Sequence, residues 1–148
     1  MDERLIQINE AVEFLKDKFS GQKPFAGIVL GSGLGKLAYK LEDPITIKYS
    51  DIPHFAVSTA LGHKGNFILG KLGGKLVLAM QGRFHYYEGH PMKDLAISIR
   101  TLKMLGVQKL LVSAAVGSMD MKLKPGSLCV LKDHINFMCN NPLIGNHD

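Results

Sequence analysis

The sequence predicts an α/β fold. Three features carry that expectation. Short apolar runs of buried-strand type alternate with segments of helical periodicity, the pattern of layered α/β domains. The first such run, Phe25 to Leu30, flows straight into the glycine loop Gly31-Ser32-Gly33-Leu34-Gly35 and then a helical Lys36 to Leu41. Two further runs, Asn66 to Leu69 and Lys75 to Met80, flank a Gly73-Gly74 pair suited to a hairpin turn.

Along the chain, Leu5, Ile8, Val12, Leu15 and Phe19 recur at helical spacing, and Ser20-Gly21 closes an amphipathic helix whose role is packing. Pro44 to Ile47 reads as extended, and Pro53 breaks the chain before Phe55 to Thr59. Gln81 to Pro91 is polar, aromatic and glycine-bearing, hence a loop. Leu95, Ile99, Leu102 and Leu105 set a second helix over Lys93 to Leu105, with Gly106 as its stop. Lys109 to Val112 reads as a buried strand running into Ser113 to Gly117, and Ser127 to Leu131 as one more strand. Pro142 and Gly145 fall in a terminal loop. No repeat or low-complexity linker interrupts the 148 residues, so a single domain over 1–148 is expected.

Composition narrows the function classes. With 46% hydrophobic and 21% charged residues, the chain is a globular domain and not a disordered segment. The net charge of +5 favours anionic partners. Lysines and arginines are scattered singly, without a basic helix, an RNP motif or a zinc-finger pattern. Phosphate is therefore the expected anion, and nucleic acid is not expected as a partner. Cys129 and Cys139 form no CxxC or metal spacing, which fits a reduced, cytoplasmic protein without a metal site. Met1 to Glu10 is acidic and polar, unlike a secretory leader, and no apolar run has the length of a membrane helix, so no membrane partner is expected.

Several motifs carry chemistry. Glycines after a strand let backbone N–H groups converge on an anion, and Ser32 adds a hydroxyl donor to the same cradle. The GxGxG spacing is neither the dinucleotide fingerprint nor a P-loop, so a structural turn and a phosphate site both suit it. Gln81-Gly-Arg-Phe-His-Tyr-Tyr-Glu-Gly-His90 follows an apolar strand, where α/β sheets bind ligands. Arg83 offers a planar fork matched to phosphate oxygens. His85 is a donor to an anion, Glu88 can orient its imidazole, and Tyr86 and Tyr87 offer flat faces and hydroxyls to a sugar. A solvated loop with incidental charge is the alternative there. His63, set among glycines in Gly62-His-Lys-Gly65, suits close approach to a ligand and equally a solvent-exposed position. Ser113-Ala-Ala-Val-Gly117 places small residues at a strand end, where they admit either a substrate or a packed helix. Asp133-His134-Ile-Asn136 has the look of a charge-relay fragment, but no GxSxG nucleophile accompanies it.

Taken together and in this order, these elements resemble the trimeric purine nucleoside phosphorylases. The resemblance rests on GSGLG at 31–35, STALGHKG at 58–65, QGRFHYYEGH at 81–90, SAAVGS at 113–118, DHIN at 133–136 and NPLIG at 141–145. It spans nearly the whole chain and implies a mixed β-sheet flanked by helices in three α/β/α layers. The activity it implies is phosphorolysis of purine ribonucleosides or deoxyribonucleosides to the free base and the pentose 1-phosphate. Inorganic phosphate is the co-substrate, and no cofactor or metal is needed. In the family pattern Ser32, His63, Arg83, His85 and the backbone of Ala115 match the phosphate ligands. Tyr87 matches the sugar contact, and Glu88 the acid that holds His85, which makes His85 and Glu88 the catalytic pair.

Two departures stand out. Ala114 replaces the asparagine that the family commonly carries, and the ending Ala-Val-Gly-Ser is shared with some methylthioadenosine phosphorylases, the alternative on substrate. Family members are also roughly twice this length, and their purine-reading residues lie in the half this chain lacks. The resemblance thus implies a truncated N-terminal half of one phosphorylase domain, without base-binding residues. It implies exposed strand edges, and a homotrimer or a complementing C-terminal half as the route to a whole enzyme. A non-catalytic phosphate-binding fragment is the further alternative.

Overall fold

The structure, a computed structural model, describes residues 3–56 and 64–144. Ile8, Ala11, Val12 and Leu15 fall on one side of helix α1, Glu3–Lys18, and are buried there. Glu3 in its first turn and Lys16 and Lys18 in its last complement the helix dipole. The chain leaves α1 through Ser20 and Gly21 at positive φ, with the Gly21 N–H donating to the Lys16 carbonyl.

Five strands follow: β1 Ala26–Leu30, β2 Glu42–Lys48, β3 Asn66–Leu72, β4 Lys75–Gln81 and β5 Lys109–Val112. Helix α2, Met92–Met104, lies between β4 and β5, and 3-10 turns occupy Gly35–Lys40, Tyr49–Asp51 and Tyr86–Glu88. The strands form one sheet in the order β2-β3-β4-β1-β5. β1 pairs in parallel with β4 and β5, whereas β2, β3 and β4 pair antiparallel in sequence. The sheet is therefore mixed, as the family resemblance implies. Gly73 and Gly74, both at positive φ, supply the backbone that a two-residue hairpin between right-twisted strands requires.

Alternation along the strands builds a core on each face. Val29, Phe67, Leu69, Leu78 and Met80 point to one side, where they pack with α1 and with Ile97 and Leu102 of α2. Ala26, Leu30, Ile68, Val77 and Ala79 point to the other, under Ala38 and Leu41. Among the described residues the third layer is the 3-10 helix Gly35–Lys40.

Three elements differ from expectation. The helix expected over Lys36 to Leu41 is the tighter 3-10 helix Gly35–Lys40, not an α-helix, and Leu41 is already extended. β5 pairs with β1 but is not buried: Leu111 is 57% and Val112 62% exposed at the rim of the sheet. Ser127 to Leu131 forms no strand, and Val130 in it is fully exposed. An apolar run becomes a strand only where a ladder partner takes up its backbone groups, and the free side of β5 is not joined to it. Pro44 is accommodated in edge strand β2 beside a register shift between Glu42 and Ile45. Val57 to His63 and Gly145 lie outside the described residues, and so do His63 itself and most of the 58–65 motif.

Leu78 is fully buried at the centre of the larger core. Leu78→Ala is expected to destabilise the chain by about 2–5 kcal/mol, the range for deleting a buried leucine side chain. Urea unfolding monitored by circular dichroism measures it, and a loss below about 1 kcal/mol would contradict this core.

Candidate functional site

Parallel strands deliver their C-terminal ends to one edge of a sheet, where α/β proteins place ligands. β1, β4 and β5 run in parallel, so Gly31–Gly35, Gly82–His90 and Ser113–Gly117 all emerge at that edge. β3 runs the other way, so its start lies there as well. Lys64 and Gly65 precede it, and Asn66 pairs with Gln81. The sheet thus brings together the segments carrying Ser32, Arg83, His85 and Ala115. His63 precedes Lys64 in the chain but lies outside the described residues.

The glycine loop and the Ser113 segment meet closely. A Cβ on Gly31 would stand 2.3 Å from the Ser113 carbonyl oxygen and 3.0 Å from the Ala114 Cα. No side chain fits that gap, so glycine is required for the approach. Ser113 fastens it: its hydroxyl donates to the Val29 carbonyl at 2.8 Å and accepts the Gly31 N–H at 3.2 Å. Ser32 lies exposed on the outer side of the loop, and Ala115 is exposed two residues beyond Ser113.

Arg83 and Phe84 continue from β4 through Gly82. Phe84 turns into the core, which leaves the half-buried Arg83 at the rim. His85 and Glu88 cap the 3-10 turn 86–88 reciprocally. The Glu88 carboxylate accepts the His85 backbone N–H at 2.8 Å, and the His85 ring accepts the Glu88 backbone N–H. A ring nitrogen that accepts bears no proton, so in the neutral ring the other nitrogen is the donor. Glu88 therefore fixes His85 at its main chain as well as standing beside it. Tyr87 stacks on the His85 ring, centroids 4.7 Å apart and planes 19° from parallel, and keeps its other face exposed. The Tyr86 hydroxyl accepts from the Asn140 side-chain amide at 3.2 Å, so the residue just before NPLIG reaches back to this loop. Asp133 receives the His134 backbone N–H and both are exposed, so this pair forms a local turn at the surface.

Two residues that the sequence did not single out hold the edge together. Tyr49 is buried among Phe55, Phe67 and Phe84, and its hydroxyl donates to the Gly82 carbonyl at 2.8 Å. Its backbone N–H donates to the Gly65 carbonyl at 2.7 Å. Gln81, 4% exposed, bridges the glycine loop and β3. Tyr49 lies in no motif, and Gln81 opens QGRFHYYEGH without a chemical role being legible there; both acquire these roles only through partners far along the chain. Above them, Lys64 donates to the Tyr39 hydroxyl at 2.6 Å. That bond is the main cause of a lowered Tyr39 pKa; burial opposes it, while the charge of Lys64, a bond from Gln81 and the charge of Lys36 add to it.

Residues 26–148 match the family model described as the phosphorylase superfamily. The chain is 49% identical over 141 residues to purine nucleoside phosphorylase 1 of Geobacillus stearothermophilus, covering 95% of this chain and 51% of that protein. It is 41% identical over 127 residues to purine nucleoside phosphorylase of Bos taurus, covering 84% and 44%. Among solved structures it is similar to isoform 2 of purine nucleoside phosphorylase from Schistosoma mansoni, in complex with cytosine and ribose-1-phosphate. That match has a TM-score of 0.87 and 42% identity over 95% of this chain and 50% of that one. The chain spans about half the length of the curated relatives it matches.

Gly31→Ala is expected to cost about 1–3 kcal/mol, because the new methyl group must push the Ser113–Ala114 backbone away. A variant as stable as wild type in urea would contradict the close approach. Tyr49 supplies a pH test. Burial pushes its hydroxyl pKa up from the ordinary value of 10.0. Below about pH 10 the phenol is neutral folded and unfolded. Above it only the unfolded chain ionises Tyr49, so stability falls as pH rises. Tyr49→Phe is expected to lower the melting temperature at pH 8 and to shrink the further drop between pH 9 and 11. An unchanged drop would contradict the buried hydroxyl.

Proposed function

The chain belongs to the phosphorylase superfamily, and on that premise we propose that it is the N-terminal half of a single purine nucleoside phosphorylase domain, the half that handles phosphate and ribose. The observation that carries this is the meeting, at one sheet edge, of the segments bearing Ser32, Arg83, His85 and Ala115. An arginine fork, a histidine donor, a serine hydroxyl and backbone N–H groups are a donor set for a tetrahedral oxyanion. His63 joins them through the family pattern. Tyr87, stacked on His85 with one face open, is the ribose contact.

Chemically, the bond between the purine nitrogen and the sugar C1′ breaks, and its electrons leave with the base, which takes up a proton. Positive charge develops on the sugar. A phosphate held on the opposite ring face stabilises that charge and then bonds to C1′ through an oxygen, giving pentose 1-phosphate. The protein supplies position and electrostatics without a covalent nucleophile, and phosphate is the only co-substrate. His85 and Glu88 act together, the carboxylate fixing the residue whose ring donates to phosphate. Cys129 and Cys139 are exposed and unpaired, which supports a reducing, cytoplasmic setting. Among the described residues no helix is long and apolar enough to cross a membrane.

Base recognition belongs to the half of the family domain that these 148 residues do not span; a homotrimer is the assembly expected of the full-length family, and a complementing C-terminal half is the alternative partner. The observation favouring this is the exposed apolar arm after β5, in which Met119, Leu128, Val130, Ile135 and Phe137 stand in solvent. A surface of this kind marks a protein interface. It also supports a second reading, a phosphate binder that performs no turnover alone.

Inorganic phosphate is expected to raise the melting temperature in a saturable way, by about 2.7 kcal/mol of stability at a hundredfold excess over Kd. Arg83→Ala is expected to remove the shift. Differential scanning fluorimetry checks both, and a wild type indifferent to phosphate would sink the assignment. Phosphorolysis of inosine is expected only after mixing with the second half of the Geobacillus relative. Full turnover by the chain alone would refute the division of labour.

A further inference from the structure

The phosphate ligands sit on separate segments that must keep a common register. Gly31–Gly35 follows β1, Lys64–Gly65 precedes β3, and Gly82–His85 follows β4. We propose that Gln81 is the positioning residue that locks these segments together, so that it sets phosphate affinity without touching phosphate. This deepens, and rests on, the phosphate-site reading.

Four contacts converge on this one residue. Its Nε2 donates to the Gly35 carbonyl at 3.0 Å, which fixes the end of the glycine loop. Its Oε1 accepts from the Asn66 Nδ2 at 3.0 Å, at the start of β3. Its backbone carbonyl accepts the Gly65 N–H at 3.0 Å, beside Lys64. Its own chain continues covalently through Gly82 into Arg83. The register makes this possible: Gln81 stands opposite Leu30, the last residue of β1, and opposite Asn66, the first of β3. It is the one position in β4 that faces both segments where they leave the sheet.

The amide has a single orientation that satisfies it. The Gly35 carbonyl can only accept, so the NH2 group must face it, and the oxygen is thereby turned towards the Asn66 donor. At 4% exposure Gln81 has little water to replace either bond. Removing the amide therefore leaves the Gly35 carbonyl and the Asn66 amide without this partner, a penalty localised at the loop ends. An apolar side chain of equal length fills the same space and supplies none of the ties.

The test uses the 148-residue chain with inorganic phosphate as the probe. Gln81→Met keeps the volume and removes the side-chain hydrogen bonds, those to Gly35 and Asn66 among them. Asn66→Ala keeps Gln81 and removes only the donor to its Oε1, and it serves also if Gln81→Met does not fold. Hydrogen exchange is read at the amides of 33–37 and, for comparison, in α1 and α2. The expected result for Gln81→Met is about tenfold faster exchange at 33–37, unchanged exchange in the helices, and about tenfold weaker phosphate binding. Asn66→Ala is expected to show the same pattern at smaller amplitude. Wild-type exchange at 33–37 in both variants would overturn the proposal. So would acceleration spread evenly over both helices, the mark of a general stability role. A wild type that binds no phosphate would sink the site assignment instead, and the exchange comparison would still decide whether Gln81 holds the loop.

Discussion

A strand flanked on both sides by parallel neighbours must discharge its chain at the same edge as they do. β1 is that strand here, with β4 on one side and β5 on the other. Its sequence, Ala-Gly-Ile-Val-Leu, suits the position because four of its five residues are buried and the fifth, Ile28, is partly so. Everything assigned to phosphate follows from this pairing. The three loops that leave the strands meet because the strands are in register, not because the loops recognise one another. The Gly31–Ser113 contact is the tightest expression of the constraint. Two backbones emerge side by side with no room for a side chain, and the Ser113 hydroxyl bridges them.

The antiparallel hairpin adds a fourth segment by the opposite logic. β3 runs against β4, so the start of β3 lies at the edge where β4 ends, and Lys64–Gly65 arrives there without a crossover. Tyr49 then clamps this arrangement from below. One hydroxyl bond to Gly82 and one backbone bond to Gly65 span two segments, and the surrounding phenylalanines keep water from competing for either. The polar ties of the edge are thus built on an aromatic floor, and the larger core extends beneath it to α1 and α2.

Much of this was legible in the sequence because the signals are local. Glycines after an apolar run, a double-glycine turn and helical periodicity each depend on neighbours within a few residues. The same locality explains the errors. Ser127 to Leu131 has the composition of a strand, but a strand is a relation between two segments, and composition reports only one of them. Lys109 to Val112 reads as buried for the same reason; its pairing with β1 is real, while its outer side is open. At the site, Arg83, His85 and Glu88 were legible as chemical types. The grip of the Glu88 carboxylate on the His85 main chain was not, because a three-residue spacing serves a capping interaction and an imidazole contact equally. Tyr49 and Gln81 were illegible because their partners lie far away in the chain and are set by sheet register.

The apolar arm after β5 shows which parts of the edge the fold itself secures. Burying a large apolar side chain is worth about 1.5–3 kcal/mol. Met119, Leu128, Val130, Ile135 and Phe137 gain none of it in this chain. The arm therefore adds little to stability. Its attachments are Ser113, with two side-chain bonds and a backbone bond to Val29, and Asn140, whose side-chain amide donates to the Tyr86 hydroxyl. Ala115 lies two residues beyond Ser113, whereas the loop of Ser32 is held at Gly31 by Ser113 and at Gly35 by Gln81, and Arg83 follows β4 through Gly82. In the proposed phosphate site, an anion bridging Arg83 and the glycine loop would meet segments that the sheet holds, with the Ala115 N–H beside them at the start of the arm. Covering the arm and binding phosphate at that proposed site therefore act on the same short stretch of backbone, Ser113 to Ala115.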